Sequence, residues 1–312
     1  MRRILWPMTS VVLAAVVLVW IGGCGETTTV TLPPDEGGHL FADLAWGDST
    51  TFDIVTWNVE NFPKNGTQTV DYLVAAVAAL RPDIVALQEI DGPTSFQRVV
   101  EELPGFAGYR ATSAPYEQNL AYIYDTATVA VDTIYEILTD DGRELPRSPL
   151  VLECRYRGHD LVVVDNHFKC CGDGTVDASD PWDEETRRRD ASLLLHDFIE
   201  DRWPDRAVIL LGDLNDILTD PAPANVFQVF LDDPDHYRFA DMAIATGPAV
   251  NWSYHGQSHI DHLLVTDELF APLEAAGSSV QTLRLDQELP GGYGEYDSNL
   301  SDHLPVGMRL AF

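Results

Sequence analysis

The sequence predicts an α/β fold, and three observations carry that expectation. Residues 208–211 and 84–87 are unbroken apolar runs rich in β-branched side chains, as strands covered on both faces tend to be. A strand–helix–strand unit spans residues 52–87, its helical part apolar nearly all round. Polar residues collect at the ends of these strands rather than along them, which is where ligands gather in open α/β sheets.

In chain order, Met1-Arg2-Arg3, an apolar run over 11–21 and Gly22-Gly23-Cys24 make an export segment, with small residues ahead of the cleavage point. The same run is nearly long enough to be a retained membrane anchor. Ile21-Gly22-Gly23-Cys24 resembles the bacterial lipobox, which implies that Cys24 is lipidated and begins the mature chain. Residues 1–23 are then a signal peptide and 24–50, rich in Thr, Pro and Gly, a flexible tether. Residues 51–312 form the folded domain. Gly25 stands where an inner-membrane retention aspartate would be, so the expected location is the outer membrane or cell surface, reached through the lipid alone.

Residues 52–57 read as a strand leading into Asn58-Val59-Glu60. Asp71 can cap a helix that runs to Leu80 and is stopped by Pro82. Strand 84–87 ends in Gln88-Glu89. Segments 120–124, 129–138, 149–156 and 161–164 alternate with short turns, and the last finishes in Asn166-His167. A long polar loop follows, then a helix with Ala191, Leu194, Leu195, Phe198 and Ile199 on one face. Arg187, Arg188 and Arg189 are placed on its other face, as solvated surface or as a local basic patch. Strand 208–211 delivers Asp213 and Asn215, a pair suited to a hard cation or an activated water. Strands at 260–265 and 304–310 complete the chain, the first carrying Asp261 and the second preceded by Ser301-Asp302-His303.

The formal net charge is −31, and loss of the signal peptide removes two arginines and no acids. Such a balance opposes non-specific capture of DNA or anionic membrane, or reflects a salt-rich habitat in which acidic surfaces keep proteins soluble. Of the cysteines beyond Cys24, Cys154 can bridge to Cys170 or Cys171, or all three can stay as packed free thiols. Asp173, Asp177, Asp180 and Asp183 offer oxygen ligands for a structural Ca²⁺, or form a solvated acidic loop.

Acids, amides and histidines recur at strand ends without a serine or cysteine nucleophile motif, which points to metal-assisted hydrolysis. Trp57-Asn58-Val59-Glu60, Gln88-Glu89, Asn166-His167, Gly212-Asp213-Leu214-Asn215, Ile260-Asp261-His262 and Ser301-Asp302-His303 resemble, in order, the motifs of the endonuclease/exonuclease/phosphatase superfamily. The resemblance implies a four-layer α/β sandwich, two facing mixed β-sheets flanked by helices, with the site at one rim. It implies Mg²⁺, with Mn²⁺ as substitute, held mainly by Glu89 with Asn58, Glu60 and Asp302. His303, oriented by Asp261, acts on water or phosphate, Asp213 and Asn215 orient the water, and His167 meets the phosphate from the other side. By the same resemblance Tyr116 lines the site, Arg147 contacts phosphate, and Gln118 replaces an acid that would partner His167.

The expected activity is that of an exported, monomeric phosphodiesterase on nucleic acid, a non-specific endonuclease. Aromatics in Trp252-Ser253-Tyr254-His255-Gly256-Gln257 can stack bases or pack the loop. Small phosphate esters, inositol phosphates and phospholipid head groups are the alternative substrates. A surface binding protein that kept the fold and lost catalysis is the third class.

Overall fold

The computed structural model describes residues 40–41 and 44–312. The expected signal peptide, Cys24 and most of the expected tether lie outside those residues. Among the described residues the strands and longer helices are, in order, β1 (Phe52–Phe62), α1 (Thr67–Leu80), β2 (Ile84–Ile90), α2 (Pro93–Glu101), β3 (Phe106–Arg110), β4 (Asn119–Asp125), β5 (Val129–Glu136) and β6 (Leu150–Tyr156). Then come β7 (His159–His167), α3 (Glu184–Arg202), β8 (Val208–Asp213), β9 (Tyr237–Phe239), β10 (Asp261–Thr266), β11 (Ser279–Thr282), the helix Gly292–Asn299 and β12 (Val306–Leu310).

Two six-stranded mixed sheets result, ordered β11-β12-β1-β2-β4-β3 and β5-β6-β7-β8-β10-β9. Three apolar clusters separate four layers. One fills the space between α1, α2 and the first sheet, one lies between the sheets, and one lies under α3. This is the four-layer sandwich expected from the sequence. On β1, Val55, Trp57 and Val59 face the helices while Phe52 and Ile54 face the second sheet. Both sides of the period-two alternation are covered, which is why the strand reads as continuously apolar.

The inter-sheet positions change character along each strand. Phe52, Ile54, Thr56 and Asn58 follow one another on β1, as do Ile84, Ala86 and Gln88 on β2. Leu161, Val163, Asp165 and His167 do so on β7, and Ile209, Leu211 and Asp213 on β8. One end of the seam is therefore oily and the other polar. Near the boundary, Gln88 Nε2 donates to Asp165 Oδ1 at 2.6 Å, and Tyr122 Oη donates to the Leu150 and Val163 carbonyls. These bonds tie the sheets together just below the polar rim. Burial pushes the Asp165 carboxyl well above the usual carboxylate range.

Two local expectations change, and the open choice at the cysteines falls to free thiols. Helix α1 begins at Thr67 behind Gly66, whose φ of 56° a side chain would strain. Asp71 therefore lies inside the helix and pairs with Arg98 of α2 at 2.6 Å. The folded unit starts before residue 51: Phe41 and Trp46 are buried in the first cluster, and a Cβ on Gly307 would come within 2.5 Å of the Trp46 ring. No bridge joins Cys154 to Cys170 or Cys171. Cys154 is buried between the sheets opposite Leu161, near the start of β7, whereas Cys170 follows the far end of that strand. Six residues of strand separate the two levels by roughly 20 Å. Burial also pushes the Cys154 thiol up to about 12.

Candidate active site

The polar rim draws its residues from strands running both ways. β1 pairs parallel with β2, and β7 with β8, so their C-terminal ends reach the rim together. β10 and β12 run antiparallel to β8 and β1, so their N-terminal ends arrive at the same place. That is why Asp261 opens a strand and Asp302 and His303 precede one. His167, Asp213 and Asp261 are register partners across β7, β8 and β10 and stand in one row.

Asn58 Nδ2 donates across the seam to Asp213 Oδ2 at 2.9 Å and, within its own sheet, to Glu89 Oε1 at 3.2 Å. His167 Nε2 lies 3.5 Å from Asp213 Oδ2 and 3.8 Å from Glu89 Oε1. His303 Nδ1 donates to Asp261 Oδ2 at 2.8 Å, and its Nε2 is 3.9 Å from Asp302 Oδ1. Glu60 Oε2 accepts the Asp302 N–H at 3.0 Å and is paired with Lys64. The turn after β8 gives Asn215 a φ of 55°. Its N–H returns to Asp213 Oδ1 at 3.1 Å and its Nδ2 reaches the Phe168 carbonyl at 3.3 Å. Asn58, Glu60, Glu89, His167, Asp213, Asn215, Asp302 and His303 line one cleft of about 520 Å³. A second cavity, about 530 Å³, lies at the oily end among His159, Leu161, Pro272 and Phe312 and gathers no such set.

Burial pushes the Asp213 carboxyl up to about 7, with Asp261 and Glu89 adding to the shift and His303 opposing it. Burial pulls His303 down, but the Asp261 and Asp213 carboxylates outweigh it and hold the imidazole well above its ordinary value. His167 goes the other way: burial lowers it far below the usual range, helped by Arg147 and His303. Its Nδ1 has no partner, consistent with the absence of an acid at Gln118.

The donor set fits a hard divalent cation. Glu89, Glu60, Asp302 and Asn58 offer oxygen only. The rise at Asp213 marks a buried carboxylate crowded by other acids, and Asp261 Oδ1 has no hydrogen-bond partner. Asp213, Asp261 and His303 also lie close enough together to hold a metal ion. Asn58 is a partial exception, since its Oδ1 already accepts the Glu60 N–H at 2.9 Å. Only that oxygen's second lone pair is left for a metal.

Arg147 is brought next to the cleft without lining it: it donates to Gln118 Oε1 in the cleft wall and feels the Glu89 and Asp213 charges. Tyr116 is not brought there. With φ 61° on a short 3-10 turn, its ring is 93% exposed, and Gln118 lines the cleft instead. The aromatic segment divides: Trp252 packs against the inter-sheet core, His255 stacks on Tyr293, and Tyr254 lines the cleft with its ring 5.1 Å from His303. Arg187 and Arg188 are buried, so no basic patch forms there. Arg188 Nε meets Asp216 at 2.8 Å and its Nη1 donates to the Lys169 and Cys171 carbonyls at 2.8 and 2.7 Å. In the acidic loop, Asp173, Asp177 and Asp180 each accept an N–H two residues on, and Asp183 caps α3 through Thr186 N at 2.8 Å. These backbone bonds occupy the carboxylates as turn and cap acceptors, while Asp183, Glu184 and Glu185 also lie close enough together to hold a metal ion.

One buried network escaped sequence reasoning, although His259-Ile260-Asp261-His262 carried the signal. Asp241 Oδ2 meets His259 Nε2 at 2.9 Å and His262 Nδ1 at 2.6 Å. His262 Nε2 donates to the Asp216 carbonyl at 2.9 Å, so both ring nitrogens are donors and the ring is an imidazolium. His259 Nδ1 accepts the Ser253 N–H, leaving no lone pair for a metal. Burial opposes the charge on His262, but Asp241 outweighs it and raises the ring above 6.5; the histidines likewise outweigh burial at Asp241 and lower it below 3.8. A raised histidine stabilises below its unfolded value and loses that contribution as pH climbs through the folded one. A lowered aspartate stabilises above its unfolded value and loses it as pH falls. Both contributions are whole between 3.8 and 6.5. Asp241→Asn is therefore expected to lower Tm most in that window and less on the alkaline side, measured by melts across pH.

The Endonuclease/Exonuclease/phosphatase family matches residues 55–303. Among curated proteins, none matches the sequence. Three solved structures are similar in fold. Zebrafish (D. rerio) TDP2 humanised by 14 mutations has a TM-score of 0.63 at 16% identity, covering 85% of this chain and 100% of that one. The human nocturnin catalytic domain, with a bound sulfate anion, gives 0.62 at 14%, covering 84% and 95%. A Bacteroides thetaiotaomicron mannosyl-6-phosphatase gives 0.58 at 15%, covering 84% and 100%.

Proposed function

Since this chain belongs to the endonuclease/exonuclease/phosphatase family, whose members are phosphoric ester hydrolases, we propose that it is a Mg²⁺-dependent phosphodiesterase acting on nucleic acid outside the cytoplasm. The observation that carries this reading is the row His167, Asp213 and Asp261, with His303 bonded to its end and Glu89 facing it across the seam. Export and anchoring rest on the segment ending at Cys24.

A divalent cation at Glu89, helped by Glu60, Asp302 and Asn58, would supply Lewis-acid polarisation of a phosphoryl oxygen. The protein's own groups do the rest. Asp213, poised near 7, takes the proton of a water that Asn215 helps to place. His303, fixed by Asp261, presents an imidazolium to the developing phosphoryl charge. His167 and Arg147 bind the phosphate from the other wall, and the Tyr254 ring offers a surface for a base.

One observation favours a small phosphate ester instead. Lys64 is paired with Glu60 and Asp297, Lys169 lies 3.7 Å from Glu184, and Arg187 and Arg188 are buried. Beside the His303 imidazolium, Arg147, held by the neutral Gln118 rather than by an acid, is then the arginine with most to offer next to the cleft among the described residues. Nucleic acid bound through one such contact loses affinity with a log–log salt slope of only about −0.9, or about −0.7 on single strands.

The test uses the full-length protein in detergent, with supercoiled plasmid and single-stranded DNA and RNA, against a panel of sugar phosphates, inositol phosphates and phospholipids. Nicking that Mg²⁺ or Mn²⁺ supports and EDTA abolishes, with a shallow salt dependence, is the expected result. Intact polymers beside phosphate release from the panel would give the small-ester reading. No turnover of any ester with metal present would leave the surface binding protein.

A further inference from the structure

Cys170 and Cys171 form part of the cleft wall beside His167, Asp213 and Asn215, yet the hydrolytic step leaves both unused. They are adjacent in sequence, and their Sγ atoms lie 3.0 Å apart, with the Cys171 thiol donating to Cys170. That donation, before any effect of burial, raises the Cys171 thiol. Lys169 Nζ stands 3.7 Å from Cys170 Sγ on the other side, so two donors face that sulfur. The backbone is held in this shape. Arg188 Nη1 grips the Lys169 and Cys171 carbonyls, Cys171 has a φ of 74°, and Gly172 follows at 109°. A Cβ on Gly172 would fall 2.2 Å from Glu185 Oε1, so the chain passes there only as glycine. Cys171 is exposed, whereas Cys154 is sealed in the core.

We propose that Cys170 and Cys171 are a dithiol modification site that closes, by exchange with a low-molecular-weight disulfide, into a vicinal disulfide in the wall of the cleft. Cys170, as thiolate, attacks one sulfur of the small disulfide and expels one small thiol, leaving a mixed disulfide. Cys171, as thiolate, then attacks Cys170 Sγ and expels the second. Two protein thiols are oxidised by two electrons, the small disulfide is reduced to two thiols, and the thiol protons end on those products. Adjacent Cα atoms stand about 3.8 Å apart, below the usual span of about 4.4–6.8 Å between bridged cysteines. The ring therefore carries strain, which places it among the labile, reversible disulfides rather than the structural ones. Nothing in this step depends on the identity of the phosphate ester.

The experiment treats the reduced full-length protein in detergent with oxidised glutathione, quenches with iodoacetamide and maps tryptic peptides. Lys169 and Arg187 bound a single peptide, 170–187, that contains both cysteines, while Cys154 falls in peptide 148–155. The expected product is peptide 170–187 lighter by two hydrogens and free of iodoacetamide, restored by dithiothreitol, with peptide 148–155 unmodified by glutathione. In Cys171→Ser the reaction should stop with one glutathione on Cys170. A wild-type peptide that stays a dithiol, carries two glutathiones or is cross-linked to another peptide would overturn the proposal. So would a Cys171→Ser peptide that retains no glutathione.

Discussion

Replacing His303 with alanine is expected to lower phosphodiester turnover by roughly 10²–10⁴-fold, and Asp213→Asn to do the same. The two substitutions should differ in what they do to stability. His303 is the cationic partner of the buried Asp261, so its removal leaves a carboxylate uncompensated and should lower Tm. Asp213 is the opposite case. Its carboxyl is pushed up to about 7 by burial among other acids, so at neutral pH its ionisation works against the fold. In the metal-free protein at pH 8, Asp213→Asn should therefore melt higher than the parent while being inactive. The amide keeps one acceptor oxygen, for either Asn58 Nδ2 or the Asn215 N–H but not both. Melts in EDTA beside rates in Mg²⁺ check both halves. Either variant turning over near the parental rate would remove that residue from the mechanism. Asp261→Asn combined with His303→Ala should cost no more rate than His303→Ala alone, because Asp261 acts through the ring it holds.

Much of this arrangement was legible in the sequence, for a specific reason. Strands covered on both faces must be apolar, so Asn58, Glu89, His167, Asp213 and Asp261 break a strong pattern where the two sheets open to solvent. Asp302 and His303 became legible by their place before a last strand whose direction then had to bring them to the same rim. Tyr116 had no such support. It lies on a turn outside any periodic element, and two successive residues with positive φ, Tyr116 and Glu117, carry its ring into solvent. The arginine run failed for a different reason. Consecutive helical residues are roughly 100° apart, so three arginines cannot share one face. Arg188 falls on the line of Ala191, Ser192 and Leu195, at the three-, four- and seven-residue steps that mark a buried stripe. The spacing was present in the sequence and the charge concealed it. The network of Asp241, His259 and His262 was hidden because its partners join β10 to the segment after β9, a pairing that no local pattern announces.

Arg188→Met is expected to destabilise the fold by about 3–5 kcal/mol, more than the substitutions at Asp213, Asp241 or His303. The guanidinium is 2% exposed and lies between Asp216 at 2.8 Å and Glu185 at 3.2 Å. It also satisfies the Lys169 and Cys171 carbonyls. Methionine fills a similar volume but leaves two buried carboxylates without a cation and two carbonyls without a donor. For a domain of this size the loss corresponds to a fall in Tm of roughly ten degrees. Arg188→Lys should recover little of it, because an ammonium cannot reproduce the planar fork that reaches two acids and two carbonyls at once. The consequence should extend to the cleft, since the chain that Arg188 grips leads from His167 into Cys170 and Cys171, and Asp216 directly follows Asn215. Below the lowered Tm, a residual loss of turnover in the folded variant is the mark of that positioning role. Full turnover there would reduce Arg188 to a purely structural tie, and an unchanged Tm would mean that the buried acids find another cation.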